Sequence, residues 1–298
     1  MILTPDAEEW LHRAIGGERL PLDITQMKGS SSSSIFLVTQ DGGRKFVLRV
    51  LDNQKWLAEE PDLAEHEAAA LREARAAGLK APEVVGHSSE DAGFGAPVVL
   101  MSYVDGRIDL LPEDFEGWIS VLARELAAIH QHPGADFAWT YQSWADRTVT
   151  APPSWTRIPH LWERALAIFH SGEPPYDPCF IHRDYHPMNV LWDGDEISGI
   201  VDWINACRGP AGVDVSHCRT NLAAMYGPPA AEQFLDSYLV QGGRPFDPYW
   251  DIDSLVDMCV PQPGYYPPWL DFGLAHIPQE ELCSRMDCHL ERVVALMR

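Results

Sequence analysis

The chain has 298 residues, 46% of them hydrophobic, with 44 acidic against 22 basic side chains and a formal net charge of −22. This length fits one large domain or two lobes, and the apolar content excludes wholesale disorder. The charge argues against nucleic acid as a partner, because phosphate binding needs a basic footprint; it would attract a cationic small substrate, and it equally serves plain solubility.

At the start, MILTPDAEEW has no basic stretch followed by an apolar core, so no signal peptide is expected. A short helix is expected over 7–20, then strands at 22–28, 34–40 and 45–51, with QDGG (40–43) as the turn between the last two. The serine run in KGSSSSSIFLV (28–38) reads either as a spacer or as a tight turn whose N–H groups face an anion; Gly29 supplies backbone freedom for the second. Residues 61–77 are rich in helix formers and end at Gly78, and two further strands fit 83–87 and 97–103. The first lobe, 1–104, is thus a small sheet with one helix.

After VDG (104–106) the texture becomes helical. A helix is expected over 113–131, proline-rich connections at 151–159 and 173–178, a hairpin at 189–201, and helices at 214–226, 229–241 and 279–297. These make a second lobe, 105–298. No apolar run approaches the roughly 18 residues a membrane-spanning helix needs. The six cysteines show no C-x-x-C spacing, and Cys283, Cys288 and His289 read as core or surface groups. The expectation is a cytoplasmic protein with reduced thiols, a monomer or homodimer with no membrane partner.

Two charges sit where apolar residues belong. In KFVLRVL (45–51) both strand faces are apolar, so Arg49 is at least partly buried. In the helix at 61–77, Glu67 falls in the middle of the apolar stripe. Each charge could reach water along its own stem, but a buried cation and a buried anion on successive elements also invite pairing.

Residues 180–206, FIHRDYHPMNVLWDGDEISGIVDWINA, carry the most specific pattern. A hairpin turning at DGDE (193–196) would set Asn189 and Asp202 at one edge, with Asp184 in the loop that feeds it. Three oxygen-bearing side chains at one place suit Mg²⁺ plus phosphate, and a carboxylate not holding the cation could accept a hydroxyl proton.

The run HRDYHPMN followed by VDW resembles the catalytic loop and metal-binding segment of the aminoglycoside phosphotransferase and choline kinase-like family, relatives of protein kinases, over about residues 25–240. The resemblance implies an α+β, bilobal protein-kinase-like fold with a β-rich N-lobe and a mainly helical C-lobe. It implies ATP as donor, with GTP as the alternative nucleotide, Mg²⁺, and a small-molecule hydroxyl as acceptor. It makes Asp184 the catalytic residue and Asn189 and Asp202 the metal ligands. Arg49 takes the place of the nucleotide-binding lysine, and Glu67 that of its helix partner. Gly29, Ser30, Ser31, Ser32 and Ser33 become the turn over the phosphates, and Met101, Ser102 and Tyr103 the hinge beside the adenine. His182 and Asp214 become structural supports of the loop, Asp214 also being placed to cap a helix at 215–226.

The pattern departs from the family at Arg49, a planar fork in place of a point charge, at the glycine-poor covering turn, and at Met188, where glycine is frequent. The segment 247–298 is acidic and aromatic, so a cationic acceptor such as an aminoglycoside or an amino alcohol fits, and so does a solvated acidic face. Tyr185, Trp203, Tyr265, Tyr266 and Trp269 are the candidate substrate contacts. Two rival functions remain: a kinase-like module that binds nucleotide without turnover, and a metal-dependent hydrolase using His182, Asp184 and His186.

Overall fold

The computed structural model describes residues 3–27 and 33–297. The chain divides into two compact units, Met1–Gly106 with Ser198–Asn205, and Arg107–Ile197 with Ala206–Arg298. The segment that carries Asp202 therefore belongs with the N-terminal sheet, although it follows the motif loop in sequence.

In the first unit, α1 (Pro5–Ile15) starts at Thr4, whose side chain accepts the Ala7 N–H, with Pro5 at the first helical position. It stops at Gly16 and Gly17, both at positive φ, and so is shorter than the 7–20 expected. Strands β1 (Leu22–Gln26), β2 (Ser34–Gln40), β3 (Lys45–Val50), β4 (Val84–Ser88) and β5 (Val98–Ser102) form an antiparallel sheet in the order β1-β2-β3-β5-β4. Period-2 alternation sends Phe46, Leu48 and Val50 of β3 into an apolar core with Phe36, Val38, Val98, Leu100 and the α1 residues Trp10 and Leu11. Arg49 points to the opposite face. There α3 (Leu63–Ala76) packs on β4, β5 and the 3₁₀ turn Trp203–Asn205, after a short α2 (Gln54–Glu59).

The second unit is built on α4 (Phe115–His130), α5 (Pro159–His170), α6 (Ala211–Tyr226), α7 (Pro228–Val240), α8 (Tyr249–Cys259) and α9 (Gln279–Leu296). Its main core gathers Trp162 and Phe169 of α5, Ile252 and Leu255 of α8, and Leu282, Leu290 and Val293 of α9. A short ladder joins β6 (Cys179–Ile181) to β9 (Cys207–Gly209). β7 (Val190–Asp193) and β8 (Glu196–Ile200) make a hairpin turning at Gly194, φ 59°.

Helices α5 and α8 lie where the sequence reading places proline-rich connection or no defined element. Each begins at or just after a proline, Pro159 and Pro248. Proline ends a helix it falls within but suits the first helical position, so the same residue type marks both events. Among the described residues, no helix is long and apolar enough to cross a membrane.

Candidate active site

Arg49 and Glu67 are 5% and 1% exposed, and they pair, NH1 to Oε1, at 3.1 Å. The same NH1 donates to Asp202 Oδ1 at 2.8 Å. β3 is the middle strand of the sheet and α3 covers this face, which favours pairing of the two charges over reaching along their stems to solvent. Burial pushes the Glu67 carboxyl up to about 7, with Arg49 pulling it down and Asp202 adding to the rise. Asp202 follows β8 with φ 67°, a left-handed conformation that costs a non-glycine residue free energy. The backbone is held there from both sides: Ile200 N–H donates to Lys80 O at 2.6 Å, and Trp203 Nε1–H donates to Ile200 O at 2.7 Å.

Of the other nucleotide-binding candidates, Ser33 is buried, whereas Gly29, Ser30, Ser31 and Ser32 lie outside the described residues. Met101 and Ser102 end β5, where Ser102 exchanges hydrogen bonds with Glu83: N–H to Glu83 O at 2.8 Å, and Glu83 N–H to Ser102 Oγ at 2.9 Å. The Lys45 ammonium lies 5.1 Å from the centre of the Tyr103 ring.

In the second unit the motif loop is held by Asp214. Its Oδ2 accepts the His182 N–H at 2.7 Å, and its Oδ1 accepts the Arg183 N–H at 2.6 Å. His130 Nε2 lies 3.1 Å from Oδ2. Burial alone would push this carboxyl up; the His130 bond and the neighbouring histidine charges outweigh it and hold Asp214 below the usual range. The helix begins at Ala211, four residues earlier than the capping expectation requires, so Asp214 sits in its first turn and caps the loop instead. Arg183 is at φ 72°; among the described residues, it and Asp202 are the non-glycine residues at positive φ, one in each half of the motif. The Arg183 guanidinium lies 3.8 Å from the Trp144 ring centre and 4.7 Å from that of Tyr141, and NH1 donates to Gln142 O.

Asp184 is gripped at both oxygens. Asn189 Nδ2 donates to its Oδ2 at 3.0 Å and to its backbone carbonyl at 2.8 Å. His217 Nε2 lies 3.0 Å from Oδ1, and His186 Nε2 3.4 Å from it. Desolvation works to raise its pKa, but the facing His186 and His217 prevail and hold it well below the usual carboxylate range. An open cleft lies beside His217, lined in part by His217, Arg183, Trp144, Tyr141, Asp253 and Asp257. Asp253 accepts from Ser143 Oγ at 2.8 Å. Desolvation raises the carboxyls of both Asp253 and Asp257. Acidic groups partly withdrawn from water attract a cation.

Several expectations are corrected. Tyr185 is wholly buried with its hydroxyl donating to Leu122 O, and Trp203 is wholly buried against α3; neither can touch a substrate. Trp269 is 3% exposed and packs in the helical core, whereas Tyr265 and Tyr266 are half-buried against that core and do not line this cleft. His182 does not join a metal cluster: it is buried, and its Nδ1 accepts the Asp184 N–H. Among the described residues, the group with metal-like spacing is Asp184, His186 and His217. It fits a transition metal poorly. His186 Nδ1 accepts the Met188 N–H and Nε2 faces the Asn189 amide, whereas a ligating imidazole donates its second N–H to an acceptor. His217 and Trp144 are absent from the sequence reading, which has Asp253 and Asp257 only as part of the acidic 247–298 segment. The signal for His217 is its spacing, three residues beyond Asp214, which puts both on neighbouring positions of one helix face.

Comparison with known proteins places this geometry. A homoserine kinase of Methylobacterium nodulans is 28% identical over 180 residues, which is 55% of this chain and 54% of that protein, so the chain spans about half the length of this curated relative. A probable serine/threonine-protein kinase of Arabidopsis thaliana is 34% identical over 96 residues, 31% of this chain and 22% of its own length. Among solved structures, aminoglycoside phosphotransferase APH(4)-Ia in complex with ADP and hygromycin B superposes with a TM-score of 0.61 at 18% identity, covering 97% of this chain and 98% of that one. Macrolide 2'-phosphotransferase MphH of Brachybacterium faecium gives 0.57 at 19% identity, covering 80% and 84%. These neighbours establish an α+β, kinase-like fold. With the model of the phosphotransferase enzyme family matching residues 23–249, which include Arg49, Glu67, Asp184, Asn189, Asp202 and Asp214, the chain belongs to that family.

Proposed function

We propose that the protein transfers the γ-phosphoryl group of ATP to a hydroxyl of a small molecule that carries a protonated amine. The observation that carries this reading is the position of Asp184, gripped at one carboxylate oxygen by Asn189 and at the other by His217, which also lines the acidic cleft. Within the reading, the acceptor hydroxyl oxygen attacks the γ-phosphorus, the bond to the β-phosphate oxygen breaks, and ADP leaves. Asp184 orients the hydroxyl and receives its proton. A carboxylate with a strongly lowered pKa is a weak base, but the loose transition state of phosphoryl transfer asks mainly for orientation.

Arg49, oriented by Glu67, supplies a planar cation for phosphate oxygens. Asn189 and Asp202, one in each compact unit, are of the residue types that Mg²⁺ takes. Asn189 spends its NH₂ on Asp184, which leaves the amide oxygen for a hard cation, and Asp202 adds a carboxylate that is 27% exposed. When bound, Mg²⁺ neutralises developing charge on the phosphates. Asn189 and Asp202 are the residues that would hold it.

The carboxylates Asp253 and Asp257 that line the cleft suit an ammonium. An amino alcohol or hydroxyl-bearing amino acid fits this description, and the relative named homoserine kinase takes its name from such a compound. The test is ADP release with Mg²⁺ and ATP across homoserine, amino alcohols, aminoglycosides, macrolides and amine-free sugars. Turnover is expected with amine-bearing acceptors, and loss of turnover without loss of ATP binding in Asp184→Asn. ATP binding with no ADP release from any acceptor would make the protein a silent nucleotide-binding module and end the proposal.

A further inference from the structure

We infer that His217 is a positioning residue of this site, fixing the Asp184 carboxylate from the side of the acidic cleft. The inference rests on the transfer reading above. Three observations carry it.

The first is the grip on Asp184. Asn189 Nδ2 holds Oδ2, so the carboxylate could still pivot about that contact; a donor at Oδ1 removes the remaining freedom. His217 Nε2, at 3.0 Å, is in hydrogen-bonding range, whereas His186 is at 3.4 Å and has the Asn189 amide against the same nitrogen. A neutral His217 with its proton on Nε2 makes the required bond.

The second is where His217 stands. It lies one turn after Asp214 on α6. Asp214 fixes the backbone of His182 and Arg183, and His217 fixes the side chain of Asp184. One helix thus sets both the path of the motif loop and the direction of its carboxylate. α6 is itself tied to α8 through the buried Arg219–Asp251 pair, so the template is stiff.

The third is that His217 also lines the cleft. The groups facing it are Asp184 and His186 from the motif loop, Arg183 and Tyr141 beside them, and Asp253 and Asp257 from α8. The same ring therefore meets the Asp184 carboxylate and borders the cleft, so a shorter side chain at 217 would free Oδ1 on the cleft side.

The test is steady-state kinetics of the full chain with the best amine-bearing acceptor. It compares wild type, His217→Ala and His217→Gln, with a melting curve for each. Gln keeps an N–H donor near the Nε2 position. His217→Ala is expected to lower kcat on the order of 10- to 100-fold, as misplacement of a reacting group does, with the KM for ATP changed less than about twofold. His217→Gln is expected to recover most of kcat, because the donor to Asp184 Oδ1 is restored. Should His217→Ala fail to fold, His217→Asn, too short to reach Oδ1, takes its place in the comparison with Gln. An alanine or asparagine variant within twofold of wild type, or a folded glutamine variant as slow as either, overturns the inference and leaves the transfer reading standing. A wild-type protein that turns over no acceptor overturns both.

Discussion

Asp214 Oδ1 accepts the backbone N–H of Arg183 at 2.6 Å, and Arg183 is held at φ 72°. A left-handed residue in the middle of a functional motif persists only where its surroundings over-determine it. Here the second carboxylate oxygen takes the His182 N–H, and the guanidinium is wedged against Trp144 and Tyr141. Removing the charge of Asp214 while keeping its shape should therefore loosen the loop. Asp214→Asn is expected to lower stability by about 3 kcal/mol, because one partner of a fully buried charged network is lost. Urea denaturation measures it, and a change below about 0.5 kcal/mol would show that the loop holds itself.

Two buried groups titrate in opposite senses. His289, wholly buried on α9, is pushed down to about 4 by desolvation. Its folded pKa lies below its unfolded one near 6.5, so its contribution is complete above about 6.5 and is lost as pH falls toward 4, about 3 kcal/mol in all. His289→Leu should flatten the acid side of the stability curve of the helical unit, read from urea midpoints between pH 4 and 7.

Glu67 has the reverse sign. Burial raises it from 4.5 to about 7, so its contribution is complete below about 4.5 and declines as pH rises through 7, again by about 3 kcal/mol. Glu67→Gln should make the sheet unit less sensitive to pH over that interval. A variant whose pH–stability curve runs parallel to wild type would mean that Arg49 keeps Glu67 ionised throughout.

Arg219 and Asp251 form a buried two-pronged pair, at 2.9 and 3.0 Å, between α6 and α8. Asp251→Asn leaves the guanidinium without its counter-charge and should cost about 3–5 kcal/mol. Combining it with Arg219→Met should recover most of that loss, since no buried charge then remains unpaired. A double variant as unstable as the single one would place the cost in packing instead.

Gly199 faces Val104 so closely that an added Cβ would lie 2.6 Å from Val104 Cγ1. Gly199→Ala should destabilise the sheet unit by about 1–3 kcal/mol through overpacking, and Val104→Ala in the same chain should relieve it. Thermal melts of the two variants check both halves of the statement.

Much of the molecule was determined by the sequence alone, wherever the cause is local. Alternating apolar residues and a turn at QDGG place β2 at 34–40 and β3 within 45–51, since side chains of a strand alternate whatever lies beyond it. The spacing of Asp184, Asn189 and Asp202, and the presence of Arg49 and Glu67 among apolar neighbours, are likewise properties of short windows. What only the tertiary structure decided concerns residues far apart in the chain. His217 reaches Asp184 from α6 and Asp253 reaches the same cleft from α8, while aromatic residues that looked like substrate walls, Trp203 and Tyr185, are consumed by core packing. An aromatic side chain has the same local pattern in a core as in a binding site. Its role is settled by which distant surface covers it, and no short window of sequence carries that information.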